Sequence, residues 1–208
     1  AAPAQPTVEQ DATGFSGDIV PLQTESPRQT IETFQALTQS LEERFKAYRL
    51  DRSQTNFEAL KNLVPSFHAL FDLSAVAPSA RHDVGMDTLG YLLDIFGRID
   101  PQYLEASPDQ AAVEAGEVDN YWRIPRTPIA IARIVDGERE GEFLFAARSI
   151  TVAPRFYQRI AHLPLRSPLD IESWTRTLPQ ITGPMIPRWI PANIPVPLQA
   201  VWLKTPIW

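Results

Sequence analysis

Three histidines are the natural first place to look for chemistry in this 208-residue chain, because it has no cysteine. Without cysteine there are no disulfides, thiolate metal sites or cysteine nucleophiles. His68, His82 and His162 share no i,i+4 spacing, and no HExxH or carboxylate-flanked cluster surrounds any of them. A metal centre needs such a cluster to converge three or four ligands. His68 falls within an apolar helical pattern, which makes it a partly buried structural residue. His82 sits in the charged run Arg81-His82-Asp83 and reads as solvated. His162 precedes Leu163-Pro164 at a helix end, where an imidazole can meet the last carbonyls.

The remaining chemistry-bearing residues are equally unselective. There is no GxSxG elbow, no GxxxxGK[ST] phosphate loop and no GxGxxG. General acid–base work needs two carboxylates whose environments push their pKa values apart. The acid pairs Glu42-Glu43 and Glu138/Glu140 instead fall on expected solvent faces. The charged alternation from Arg133 to Glu142 reads as a solvated hairpin tip, and Arg81, Asp83, Arg98 and Asp100 as ion-pairing residues at helix ends. We therefore expect no catalytic residue, no cofactor and no metal, and a binding, sensing or structural role. A net charge of −6 also argues against a nucleic-acid partner, which needs a basic face.

The elements that would position any site follow from periodicity. Ser26-Pro27-Arg28-Gln29 carries three agreeing helix-start signals: a capping hydroxyl, a first-turn proline and a Gln placed for a capping box. Ile31, Phe34, Leu37, Leu41, Phe45 and Tyr48 then recur at helical spacing, predicting a helix to about Arg49. A second helix is expected over 54–71, kinked or split at Pro65. A third is expected over about 80–98 with Ser79 as cap, weakened by Gly85, Gly90 and Gly97. Residues 101–118 read as a surface loop with a helical turn. Ile129–Val135 and Glu142–Phe145, joined by Asp136–Gly141, predict a β-hairpin. Helical pattern resumes near Val152, and Ile171–Leu178 suits one short helix. The large aromatic set, including Phe34, Phe67, Phe96, Trp122 and Phe145, reads as core. The fold class is α+β: helices, then a small antiparallel hairpin or sheet packed on helices, then an extended Pro/Trp-rich arm.

Three segments are expected: an extended or disordered stretch at 1–25, a globular unit at 26–163 (helical over 26–118, hairpin plus helix over 119–163) and an arm at 164–208. Ala1-Ala2-Pro3-Ala4-Gln5-Pro6 has the small, proline-broken character left by signal-peptidase cleavage, a hint of export. From Trp174 onward the chain holds four of its five tryptophans, seven prolines and no Asp or Glu. That composition suits a bilayer approach, since indole favours the headgroup zone and basic residues face anionic lipid. Trp174, Arg188, Trp189, Trp202, Lys204 and Trp208 are the candidate membrane-proximal residues. The alternative is an arm packed on its own domain. No window reaches the roughly 18 apolar residues of a spanning helix.

A family resemblance runs through these segments. Tyr121-Trp122-Arg123-Ile124-Pro125, Ile129-Ala130-Ile131-Ala132-Arg133, Gly141-Glu142-Phe143-Leu144-Phe145, Ala153-Pro154-Arg155-Phe156-Tyr157 and His162-Leu163-Pro164 occur in that order. Together they resemble the exported N-terminal region of bacterial mechanosensitive ion channels of the small-conductance type. Ser26–Thr30, Asp72-Leu73-Ser74, Val84-Gly85 and Gly183-Pro184-Met185-Ile186-Pro187 fit the same pattern. Arg126 departs from it, standing where a small turn residue is expected. The resemblance implies a non-enzymatic periplasmic domain on the outer side of the inner membrane. Its partners would be the parent channel's transmembrane region, neighbouring subunits and the membrane interface. The pore-forming region is not within these residues, so no pore residue is carried over. The competing reading is a stand-alone secreted module that holds a peptide or small apolar ligand against Trp122 and the hairpin.

Overall fold

Ser26 opens the first helix as its neighbours predict. In the computed structural model, which describes residues 22–185, Ser26 Oγ accepts from Gln29 N at 3.2 Å. Gln29 Oε1 reaches one residue past the expected partner and accepts from Glu25 N at 2.9 Å. With these donors satisfied, helix α1 runs over Pro27–Leu50 and buries Ile31, Phe34, Leu37, Leu41, Phe45 and Tyr48 along one stripe. Pro65 splits the next helical pattern. Helix α2 spans Gln54–Lys61, capped by Ser53 Oγ on Asn56 N at 3.3 Å, and α3 spans Val64–His68.

Helix α4 covers Arg81–Phe96. The expected Ser79 cap is not used. A single 3-10 turn at Pro78–Ala80 leads in, and Ala80 occupies the cap position without a side-chain bond. The stretch read as a loop holds two short helices, α5 (Gln102–Glu105) and α6 (Gln110–Glu114). Asp109 caps the second by accepting from Ala112 N at 3.0 Å.

The hairpin is present and gains a third strand. β1 (Tyr121–Arg123), β2 (Ala130–Arg133) and β3 (Phe143–Phe145) form an antiparallel sheet in chain order, with Trp122 opposite Ile131 and Ile131 opposite Phe145. The β1–β2 connection contains Arg126 at φ 59°, a left-handed backbone that L residues other than Asn and Gly enter at a cost. The β2–β3 turn places Gly137 and Gly141 at φ 95° and 93°, where glycine carries no such cost. β3 is buried throughout. Its outer edge is covered: Phe145 N donates to Leu70 O at 2.9 Å, Asp72 N donates to Phe145 O at 3.0 Å, and Phe143 N donates to Thr24 O at 2.6 Å.

Helix α7 (Ala147–Ile160) begins five residues before the recurring apolar pattern near Val152. Ser149 anchors that early turn. Its Oγ accepts from Ala130 N at 2.8 Å and donates to Ala130 O at 2.9 Å, tying α7 to β2. The core between helices and sheet is aromatic. Phe34 lies 4.8 Å from Phe96, 5.4 Å from Phe145 and 5.5 Å from Phe67, centroid to centroid. Offset and edge contacts of this kind add to the burial of the rings themselves. The class is α+β.

The globular unit does not end at residue 163. Residues 164–185 return across the helices, and a last short helix α8 (Trp174–Thr177) packs on α4. Trp174 is 1% exposed and Leu178 8%. Residues 1–21 and 186–208, with Arg188, Trp189, Trp202, Lys204 and Trp208, lie outside the described residues.

Candidate functional site: a buried clamp on the C-terminal segment

Asp94 and Arg98 are one helical turn apart near the C-terminal end of α4, on the face turned inward. Their side chains are 0% and 3% exposed and meet at 3.0 Å. A buried ion pair is stable only where its leftover donors and acceptors find partners. Here nearly all of those partners come from one place, the returning segment.

Asp94 Oδ1 accepts from Trp174 N at 2.9 Å. Asp94 Oδ2 accepts from Ser173 Oγ at 2.6 Å, from Thr175 N at 3.0 Å and from Thr175 Oγ1. Asp94 is thus the N-terminal cap of α8, delivered from a residue 80 positions upstream. Ser173 occupies the local cap position but makes no cap bond, because its hydroxyl is turned to the carboxylate. Arg98 reads the segment's carbonyls. Its Nε donates to Leu163 O and its Nη2 to Glu172 O, each at 3.0 Å. Its guanidinium lies 5.4 Å from the Tyr157 ring, and Tyr157 Oη donates to Ser173 Oγ at 3.0 Å.

Apolar and steric contacts fix the same segment. Trp174 stands edge-on to Phe45 at 5.5 Å. Gly90 and Gly97, which weaken α4 as a helix, allow the close approach. A Cβ at Gly90 would lie 3.1 Å from Thr175 Cα, and one at Gly97 would lie 2.5 Å from Leu165 Cδ1. Arg166 N donates to Gly97 O at 2.8 Å, and Ser167 Oγ donates to Glu42 Oε1 at 2.7 Å. Further along, Tyr48 Oη and Arg52 Nη2 donate to Thr182 O, and Arg52 Nη2 also donates to Gly183 O at 3.0 Å. Residues 163–183 are therefore held at both ends and in the middle by α1 and α4.

Trp174, expected at a membrane surface, is a core residue instead. Composition grouped it with the later tryptophans, while its actual neighbours are Phe45 and the Asp94 network. Of the expected helix-end ion pairs, Arg98 joins Asp94. Arg81 bonds Val76 O at 3.1 Å, and Asp100 accepts from Gln102. Asp94 was missed by sequence reasoning. Its one signal is a carboxylate within Leu92-Leu93-Asp94-Ile95, four residues before an arginine.

His68 is half-buried, and its ring sits over Gly85, whose hypothetical Cβ would lie 2.6 Å from Nε2. That Nε2 is buried without a hydrogen-bond partner among the described residues. Burial first, and the nearby His82 second, pull its pKa from 6.5 down to about 4. The two rings are 5.7 Å apart. His82 and His162 are exposed, and His162 makes no bond to the last carbonyls of α7. Among the described residues, no three His, Asp or Glu side chains group closely enough to hold a metal ion. A shallow cavity of about 250 Å³ lies between α1 and α5, lined by Arg28, Glu32, Leu104 and Glu105 among others, and Trp122 is not part of it. No helix among the described residues is long and apolar enough to cross a membrane. Comparison with protein families, with curated proteins and with solved structures finds no match to this chain.

Proposed function

We propose that this chain is a non-catalytic extracytoplasmic domain of a small-conductance-type mechanosensitive channel. In this reading it sits on the outer face of the inner membrane and couples to the pore and to neighbouring subunits. The ordered motifs from Tyr121 to Pro164 support the family. The observation that carries the coupling is the clamp. A segment fastened by Asp94, Arg98, Tyr48 and Arg52 up to Gly183 cannot move independently of the domain. Force or contact at the domain therefore reaches Gly183 without first being lost in slack chain.

The test is electrical. In membrane patches carrying the full-length protein, tension is expected to open a current. Asp94→Ala and deletion of residues 26–183 are expected to shift the tension threshold or lower assembly. A full-length protein that passes no tension-dependent current refutes the channel assignment. A current whose threshold, expression and assembly are unchanged by both alterations refutes the coupling role.

A further inference from the structure

Charge is segregated along this chain. Residues 1–142 hold 23 acidic and 12 basic residues, a net −11, while residues 143–208 hold 2 acidic and 7 basic residues, a net +5. Of the two late acids, Glu172 is already paired with Arg176 at 2.8 Å. From Phe143 to Leu169 there is no carboxylate at all.

Helix α7 lies inside that acid-free span and displays the charge in one line. Its inner side buries Ser149, Ile150 and Ala153. Arg148, Arg155 and Arg159 are all exposed. At about 100° per residue, positions seven and eleven along return to within about 20° of the starting direction, one on either side. The three guanidiniums therefore form a stripe roughly 16 Å long on the outward face. None of them makes an ion pair, a ring contact or a side-chain hydrogen bond among the described residues.

This stripe does nothing for the helix that carries it. Arg148 stands in the first turn, where the helix dipole disfavours a cation, and Arg155 and Arg159 are like charges at i,i+4. The face also continues beyond the helix into exposed His162 and Leu163, the latter 40% exposed. A row of unpaired guanidiniums next to an exposed aliphatic side chain matches a plane of phosphates over hydrocarbon. Arginine suits phosphate because its planar fork can donate two bonds at once.

We propose that the Arg148–Arg155–Arg159 face of α7 is a docking surface for the anionic headgroups of a lipid bilayer. It goes beyond the channel reading, since the surface is defined by charge and geometry on α7. The commitment is to lipid because the acid-free span of this face is followed, after Asp170 and Glu172, by a second acid-free stretch from Ser173 to Trp208 that holds four tryptophans, a pattern suited to bilayer approach.

The test is co-sedimentation of the 208-residue chain with vesicles of phosphatidylcholine alone or with roughly one-third phosphatidylglycerol. Binding is expected to the anionic vesicles, to fall on raising salt, and to be weak to the neutral ones. The triple variant Arg148→Gln, Arg155→Gln, Arg159→Gln replaces only exposed side chains. It is expected to lower the partition coefficient roughly a hundredfold at low salt. A matched variant with the same charge removed elsewhere, Lys46→Gln, Lys61→Gln and Arg123→Gln, is expected to bind within about threefold of the parent. The proposal is overturned if the parent does not bind anionic vesicles, if it binds neutral ones equally, or if the two triple variants lose binding alike. It is also overturned if the stripe instead supports self-association, seen as a dimer in analytical ultracentrifugation that the α7 variant abolishes while vesicle binding persists.

Discussion

Asp94→Ala is the most informative single change. The carboxylate is fully buried, 3.0 Å from Arg98, and accepts from Ser173, from both the amide and the hydroxyl of Thr175, and from the Trp174 amide. Removing it leaves a buried guanidinium without its counter-charge, a change that typically costs about 3–5 kcal/mol. Arg98 keeps its bonds to the carbonyls of Leu163, Asp94 and Glu172, which places the cost toward the lower end. Loss of the α8 cap adds about 1 kcal/mol. The expected total is about 4 kcal/mol, a sizeable part of a typical domain's stability. With a urea slope of about 2 kcal/mol/M, the unfolding midpoint falls by roughly 2 M. Hydrogen exchange locates the effect: the amides of Trp174 and Thr175 lose protection first. Replacing both partners, Asp94→Leu with Arg98→Met, is expected to be less damaging than Asp94→Ala alone, because no charge is left stranded. A single variant within about 1 kcal/mol of the parent, with those two amides still protected, would refute the clamp.

Three further outcomes follow from the same structure. His68 has a folded-state pKa below its unfolded one, so the unfolded chain binds the extra proton. Its contribution is intact above about pH 6.5 and is lost as pH falls toward 4, by about 1–2 kcal/mol after allowing for its partial exposure. His68→Gln should flatten the stability profile across that window, and an unchanged slope would contradict the burial argument. Gly90→Ala is expected to destabilise by about 1 kcal/mol despite better helix propensity, because the new methyl meets Thr175 backbone. Gly97→Ala should stay closer to neutral, since it meets the movable end of Leu165, and thermal denaturation of the pair distinguishes the two. Arg126→Val should cost about 1–2 kcal/mol through its β-branch at φ 59°, whereas Arg126→Gly trades relieved backbone cost against chain entropy and the Tyr103 ring contact and should change stability by under about 1 kcal/mol in chemical denaturation.

What was legible in the sequence was local. Ser26, Pro27 and Gln29 act within one turn, and the Ile31–Tyr48 stripe repeats often enough to define α1 almost to the residue. Pro65 constrains the backbone through its ring and Gly137 and Gly141 free it for positive φ, both local effects, so the helix split and the hairpin were readable too. Of the returning segment only the short helix expected over 171–178 was readable, and it is present as α8; the path and packing of the segment were not. Its elements are one or two turns long, interrupted by proline, and carry no period for a pattern to show. Its decisive partner, Asp94, is about 80 positions away in sequence, and two of its bonds go to backbone amides, which are the same for every residue type. Trp174 illustrates the error this produces: read by composition it belongs with the later tryptophans, while read by contacts it belongs to the core beside Phe45. The glycines of α4 appear as weaknesses until the chain that lies against them is seen.

The reading of this chain as a domain coupled to a membrane pore is tested most directly by the coding sequence that follows the codon for Trp208. The account predicts that the reading frame continues and encodes two or more apolar runs of about 20 residues, each long enough to span a bilayer. A stop codon within a few residues of Trp208 would contradict it.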